Sequence, residues 1–115
     1  MTSVIIVDDE EDIVDSLSML LESNGIEVIG KGYDGLEGAR LFDKLRPDFV
    51  LLDLAMPKYD GLYTLRKIRE KDSVTPVIII TGNLTDNHKD KIKDLKPIEI
   101  LYKPIQIKNL IKLLV

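Results

Sequence analysis

The sequence contains no cysteine and no tryptophan, and it has only one histidine. Without cysteine the chain has no disulfide framework, no thiol nucleophile and no cysteine-based zinc site, which suits the reducing cytoplasm. No apolar run approaches the roughly 20 residues of a membrane-spanning helix. The first residues also lack the basic-then-apolar order of a signal peptide. We therefore expect a cytoplasmic protein that does not bind membranes.

The residues that are present fit one globular domain. A chain of 115 residues with 44% hydrophobic and 31% charged residues has the size and balance of a single domain, which we place at residues 1–115. The net charge of -4 is unevenly distributed, because the first 30 residues hold eight acids and no base whereas the other 85 hold 12 acids and 16 bases. A nucleic-acid-binding domain has a more uniform basic face. We expect no direct nucleic-acid binding.

Short apolar segments alternate with amphipathic segments along the chain. The strand candidates are residues 4–7, 28–29, 49–52, 77–80 and 98–102. The segments between them have helical spacing, with Ile13, Leu17, Leu20 and Leu21 on the buried face of the first helix. The fourth helix is predicted over 86–96 and is weaker. Five such units predict an α/β fold, a doubly wound five-stranded parallel sheet flanked by five helices.

Polar side chains follow the predicted strands at the edge where ligands bind in open parallel sheets. Asp8 and Asp9 follow the first strand, and Asp53, Thr81 and Lys103 follow the third, fourth and fifth. An all-oxygen set suits Mg²⁺, and a carboxylate can attack phosphorus to give an aspartyl phosphate. Each residue alone also fits a helix cap or a turn. Their combination favours a phosphoryl-transfer site.

The same residues lie in four motifs, which read VIIVDDE (4–10), DFVLLDLAMPKYDG (48–61), VIIITG (77–82) and YKP (102–104). The spacing is 44 residues from Asp9 to Asp53, 28 more to Thr81 and 22 more to Lys103. In order and spacing the chain resembles the receiver domain of two-component response regulators over nearly its whole length. The resemblance implies a flavodoxin-like strand order of 2-1-3-4-5 and a switch controlled by phosphorylation.

The resemblance also implies a role for each charged residue of the site. Asp53 would accept a phosphoryl group from the phosphohistidine of a sensor histidine kinase. Mg²⁺ would be held by Asp9, Asp53 and the backbone carbonyl of Ala55, and Asp8 would contribute through water. Lys103 would pair with the phosphoryl oxygens.

The remaining implied residues belong to the switch. The Thr81 hydroxyl would move to bond a phosphoryl oxygen, Gly82 would let the chain approach closely, and Pro104 would follow a cis peptide bond. The family usually has an aromatic residue three positions before the lysine, where this chain has Ile100. Tyr102 shares the strand face of Ile100. Either Tyr102 replaces the missing aromatic, or the output surface changes by backbone and helix movement alone.

The interpretation we favour is a phosphorylated switch that changes its affinity for a protein partner. A relay intermediate that passes the phosphoryl group to a histidine phosphotransfer protein is the alternative. A phosphatase of the haloacid-dehalogenase type needs a second aspartate where Ala55 stands, so we expect no turnover enzyme beyond self-phosphorylation and self-dephosphorylation. A nucleotide- or flavin-binding module needs a glycine-rich first turn, and this turn is acidic.

The lysine-rich stretch from 89 to 112 covers the fourth and fifth helices. In the family that the chain resembles, the fourth helix, fifth strand and fifth helix usually form the output surface. We therefore expect a downstream protein with an acidic docking surface. The pattern is complete at Val115, so we expect a stand-alone, chemotaxis-type receiver unless an output domain follows that residue.

Overall fold

The structure, a computed structural model, describes residues 1–82 and 84–115. Five strands alternate with five helices in the described part of the chain. Their bounds are β1 Ser3–Val7, α1 Glu11–Ser23, β2 Glu27–Gly32, α2 Gly35–Leu45, β3 Phe49–Leu52, α3 Gly61–Lys71, β4 Val77–Thr81, α4 Asp86–Lys93, β5 Glu99–Tyr102 and α5 Ile107–Leu114. None of these helices has the length and hydrophobicity that a bilayer span requires.

The strands form one parallel sheet in the order β2-β1-β3-β4-β5. This confirms the predicted doubly wound, flavodoxin-like α/β fold. The three continuous apolar segments are the central strands β1, β3 and β4, whose residues, apart from the half-buried Ser3 and Phe49, are buried on both faces of the sheet. Their side chains alternate between two core layers. One layer packs under α2, α3 and α4, and the other packs under α1 and α5.

The first helix differs from its prediction in one apolar position. Leu20 is 47% exposed and lies beside the exposed Met19, so its placement in the core was wrong. Val14, Leu17, Ser18 and Leu21 form the buried face instead. Leu20 falls at the edge of this stripe because a helix advances 100° per residue, with 3.6 residues per turn. A periodic pattern alone does not locate that edge.

The fourth helix is shorter than its predicted span, because it ends at Lys93. The chain then turns, with the Leu95 amide bonded to the Ile92 carbonyl at 2.9 Å. Lys96 adopts a left-handed φ of 52°. A left-handed residue ends a helix, which explains why the prediction ran three residues too far. The predicted fifth strand was also one residue too long, since Ile98 precedes β5 and is 50% exposed.

Candidate functional site

The carboxyl ends of β1, β3 and β5 bring two aspartates and a lysine into contact. Lys103 Nζ donates to Asp8 Oδ2 at 2.7 Å and lies 3.4 Å from Asp53 Oδ2. Asp8 and Asp53 are each only 4% exposed, and the Lys103 side chain is 18% exposed. The sequence predicted that all three side chains would meet at this edge, and the structure brings them together as one buried ion cluster.

The backbone fixes this cluster because the strand ladder continues one residue beyond each strand. The Asp8 amide donates to the Gly32 carbonyl at 3.0 Å, and the Asp53 amide donates to the Val7 carbonyl at 2.9 Å. The Lys103 amide donates to the Thr81 carbonyl at 2.9 Å. Each charged side chain therefore starts from a hydrogen-bonded position on the sheet and not from a free loop.

The cluster shifts the pKa values of Asp53 and Lys103. Burial and the neighbouring charge of Asp8 raise the pKa of Asp53 above its usual value, although Lys103 and the Ala55 amide act in the opposite direction. Burial alone would lower the pKa of Lys103, but Asp8 and Asp53 outweigh it and raise that pKa. Lys103 thus stays charged beside these carboxylates. Glu10 Oε1 also lies 3.7 Å from Lys103 Nζ, at the exposed side of the cluster.

A second acidic group lies beside the buried ion cluster. Carboxylate oxygens of Asp8, Asp9 and Glu10 lie within 4.8 Å of one another, and Asp9 and Glu10 are exposed. Oxygen ligands of this kind, which leave room for water, are those that Mg²⁺ prefers. These carboxylates therefore fit this ion. Asp8 belongs to both groups and so links the acidic group to the buried ion cluster. Glu10 was not among the predicted metal ligands, although its place directly after Asp9 was a usable signal.

Two backbone features, one of them predicted, lie next to Asp53 and Lys103. The Ala55 amide donates to Asp53 Oδ1 at 3.4 Å, which places Ala55 directly beside the candidate acceptor. The Lys103–Pro104 peptide bond is cis, as predicted.

The predicted switch residues occupy the ends of β4 and β5. Thr81 is fully buried and is the register partner of Tyr102. Ile100 is half-buried and packs against the layer that includes α4, whereas Tyr102 is 53% exposed. At Gly82 an added Cβ would meet nothing within 4 Å. The expected close approach of Gly82 to a phosphoryl group on Asp53 stays a prediction.

Gly61 is a residue of the site that the sequence analysis did not single out. A Cβ on Gly61 would collide with the carbonyl oxygen of Asp53 and would lie 2.8 Å from Leu54 Cα. The Gly61 amide donates to the Leu54 carbonyl at 3.1 Å. The start of α3 therefore rests directly on the backbone of the candidate acceptor. The available signal was its position as the last residue of the 48–61 motif.

A groove borders the buried carboxylates on one side. It has a volume of about 550 Å³ and lies between α1 and the residues that lead into α5. Asp8, Asp53 and Lys103 line one part of it, and mainly apolar residues such as Leu17 and Ile105 line the remainder. Asp53 therefore borders an open groove although that residue is only 4% exposed.

Comparison with known proteins agrees with this geometry. The family profile described as a response regulator receiver domain matches residues 4–115. The transcriptional regulatory protein TrcR of Mycobacterium tuberculosis is 34% identical over 110 residues, which are 94% of this chain and 42% of TrcR. A protein-glutamate methylesterase/protein-glutamine glutaminase of Koribacter versatilis is 37% identical over 94 residues, which are 81% of this chain and 26% of that protein. The chain spans less than half of either relative.

A solved structure shows the same fold. A chain in the CheX-CheY-BeF3-Mg²⁺ complex from Borrelia burgdorferi superposes with a TM-score of 0.88 at 27% identity. The match covers 96% of this chain and 84% of that chain. The similarity therefore includes all five strands and the edge at which the buried ion cluster lies.

Proposed function

The chain belongs to the family of response regulator receiver domains, and from that membership we propose that Asp53 accepts a phosphoryl group from the phosphohistidine of a sensor kinase. The observation on which this rests is the buried ion cluster, in which Lys103 lies 3.4 Å from an Asp53 oxygen and 2.7 Å from Asp8. It stands at the strand ends where open parallel sheets bind ligands.

In the proposed reaction an Asp53 carboxylate oxygen attacks phosphorus. A P–O bond forms, the P–N bond of the phosphohistidine breaks, and the donor imidazole leaves with the electron pair. Phosphoryl transfer requires mainly positioning and neutralisation of charge. Lys103 supplies a positive charge beside the attacking oxygen and favours the ionised form of Asp53. Burial makes that charge more effective than it would be in water.

Mg²⁺ is the cofactor that we propose for this step. From the family resemblance, Asp8, Asp9, Asp53 and the Ala55 carbonyl would hold it. Carboxylate oxygens of Asp8, Asp9 and Glu10 lie within 4.8 Å of one another, so Glu10 would add a further negative charge nearby. When bound, the ion would neutralise charge on the phosphoryl oxygens. The similar chain in a complex described with BeF3 and Mg²⁺ supports the same choice of ion here.

Incubation with Mg²⁺ and acetyl phosphate is expected to add one phosphoryl group to the chain. Intact-mass spectrometry measures the addition directly. Asp53→Ala should abolish it completely, because the variant lacks the attacking oxygen. Asp43→Asn removes a carboxylate of the same kind from the exposed surface of α2 and should leave the addition unchanged. An unmodified wild type, or a modified Asp53→Ala variant, would contradict the proposal.

We propose further that the Thr81 hydroxyl bonds the phosphoryl group and that Tyr102 responds. The two residues are register partners on adjacent strands, so a shift of Thr81 is passed directly to the backbone of Tyr102. On phosphorylation the Tyr102 ring, now 53% exposed, is expected to become less exposed. Its NMR shifts and its contact with a soluble paramagnetic probe measure this change. Thr81→Val should prevent it.

An unchanged Tyr102 ring in the phosphorylated wild type would eliminate Tyr102 as the replacement for the missing aromatic. Backbone and helix movement around the half-buried Ile100 would then be the favoured alternative.

The output partner that we propose is a protein with an acidic docking surface. Lys89, Lys91 and Lys93 are exposed on α4, and Lys108 and Lys112 lie on α5. Replacing the three α4 lysines with glutamine should weaken binding of the downstream partner by at least about tenfold, since desolvated charge pairs at interfaces contribute roughly 2 kcal/mol or more. Titration of the labelled partner measures the affinity. Equal affinity would count against this surface, and a histidine phosphotransfer protein as the partner would indicate the relay role.

The catalytic scope that we propose is limited to self-phosphorylation and self-dephosphorylation. The position two residues after Asp53 holds Ala55, which has no carboxyl group to act as a general acid. The methylesterase activity in the name of the Koribacter versatilis relative belongs to a protein of which this chain matches only 26%.

A further inference from the structure

Arg69, in the last turn of α3, is bonded to two separate segments of backbone. Its Nε donates to the Leu95 carbonyl at 2.7 Å, and its Nη2 donates to the Lys96 carbonyl at 3.2 Å. Its Nη1 donates to the carbonyls of Thr75 at 2.8 Å and Asp72 at 3.2 Å. The first two carbonyls lie just beyond α4, and the other two lie in the loop before β4. One guanidinium therefore joins the end of α4 to this loop.

The loop before β4, residues 72–76, is held in place by its own hydrogen bonds. The Asp72 carboxylate accepts hydrogen bonds from the amides of Val74 at 2.8 Å and Thr75 at 2.9 Å. It also accepts one from the Thr75 hydroxyl at 2.7 Å. These three bonds hold the loop in one shape. The loop then continues directly into β4, which lies inside the sheet. Arg69 thus ties α4 to the central structure of the domain.

The two ends of α4 are held by different contacts. An isolated helix of eight residues is unstable in water, so α4 depends on its contacts. Ile92 is 2% exposed, and Leu95 packs against the same core layer. At the other end Leu84 packs against this layer just before the helix, and the Thr85 hydroxyl caps the helix by accepting from the His88 amide at 3.2 Å. The backbone tether that Arg69 makes to a second segment is found at the C-terminal end.

We propose that Arg69 makes the C-terminal end of α4 a fixed pivot, so that phosphorylation displaces only the N-terminal end of that helix. This inference rests on the proposed function, because it takes movement of Thr81 as the trigger. Thr81 and Gly82 lie only a few residues before Thr85, so a change there acts first on the helix start. The result is a change in the angle of α4. Residues 84–89 move, whereas Ile92, Leu95 and Lys96 keep their positions.

Hydrogen exchange of backbone amides measures this directly in the whole chain. Beryllofluoride with Mg²⁺ is the probe for the phosphorylated state. In the wild type it should change the exchange rate of the Lys89 amide about tenfold and leave those of Leu95 and Lys96 unchanged. Both of the latter amides donate in the turn after α4, at 2.9 Å to Ile92 and 3.4 Å to Lys93, so their exchange reports on that turn.

Arg69→Gln should release the pivot. Even without beryllofluoride, the Leu95 amide should exchange about tenfold faster than in the wild type, because the variant loses hydrogen bonds made by a charged donor. With beryllofluoride the change should extend from Lys89 to Leu95 and Lys96. Arg66→Gln is the matched control, since Arg66 is an exposed arginine of the same helix. It should behave as the wild type does.

Two results would overturn the pivot. One is a beryllofluoride-induced change in the exchange rates of Leu95 and Lys96 in the wild type that is as large as the change at Lys89. This result does not depend on whether any variant folds. The other is an Arg69→Gln variant that exchanges as Arg66→Gln does. A wild type with no response at any amide, including those of Asp53 and Ala55, would instead overturn the proposed function itself.

Discussion

A Lys103→Met variant is expected to lose about 3 kcal/mol of its free energy of unfolding at neutral pH, because removal of one partner from a buried ion pair leaves an uncompensated charge. Asp8 and Asp53 are each 4% exposed and share Lys103 as a common partner. Methionine retains most of the side-chain volume of lysine but not its charge. The loss therefore measures electrostatics more than packing.

The pH dependence of this difference follows from the direction of the two pKa shifts. The pKa of Asp53 is raised above 3.8, so its carboxyl is neutralised as the pH falls through the folded-state value. The charge of Lys103 then contributes less to the free energy of unfolding. The pKa of Lys103 is raised above 10.5, so its stabilising charge is present below 10.5 and is lost as the pH rises through the folded-state value. The two proteins should differ most between these limits.

Urea unfolding of both proteins across this pH range measures the effect. Lys31→Met is the matched control, because Lys31 pairs with Asp15 at 3.2 Å on the surface, where the side chains are 38% and 62% exposed. Its loss should be at most about 0.5 kcal/mol. Mg²⁺ should reduce the difference in free energy of unfolding between Lys103→Met and the wild type. It should leave the difference between Lys31→Met and the wild type unchanged. Equal losses in the two variants would refute the assignment of Lys103 to the buried ion cluster.

A Gly61→Ala variant is expected to lose about 3 kcal/mol, at the upper end of the usual cost of overpacking. The added methyl group would collide with the carbonyl oxygen of Asp53. Backbone at this point has little freedom to move, because the Asp53 amide is bonded to Val7 and the Gly61 amide is bonded to Leu54. The fraction of Gly61→Ala that folds should also accept phosphoryl groups more slowly than the wild type, because Asp53 is displaced.

Gly82→Ala provides the comparison for this prediction. An added Cβ at Gly82 meets nothing within 4 Å, so its effect on the free energy of unfolding should stay within about 0.5 kcal/mol, as for other surface substitutions. Thermal or urea unfolding separates the two variants, and the rate of modification by acetyl phosphate gives the second measurement. Similar stability of both would show that α3 does not rest on the acceptor backbone.

The sequence was sufficient to predict the sheet and the meeting of Asp8, Asp53 and Lys103. Continuous apolar strands that alternate with helices are typical of the middle of a parallel sheet, and the topology then brings their carboxyl ends together. The third strand was predicted at 49–52 and is found there. These features depend on local pattern and on chain direction alone.

Features that depend on contacts between elements were not predictable in the same way. The end of α4 at Lys93 depends on the turn at Lys96 and on Arg69, which comes from another helix. The exposure of Leu20 depends on how α1 is rotated against the sheet. The closeness of Gly61 to Asp53 depends on the path of the intervening loop, and no periodicity records that path.

The contact between Gly61 and the backbone at Asp53 has a consequence for how this domain diversifies. Residues 55–60 leave and rejoin the structure at almost the same point, because the Gly61 amide is bonded to the Leu54 carbonyl. Extending a loop whose ends already touch costs little additional entropy. Contacts, and not entropy, therefore limit changes of length in this loop. Met56 is 7% exposed in the core layer under α2, α3 and α4, and the Tyr59 carbonyl accepts from the Gly35 amide at 2.7 Å. An insertion or deletion within 55–60 should disturb these contacts as well as the position of Ala55.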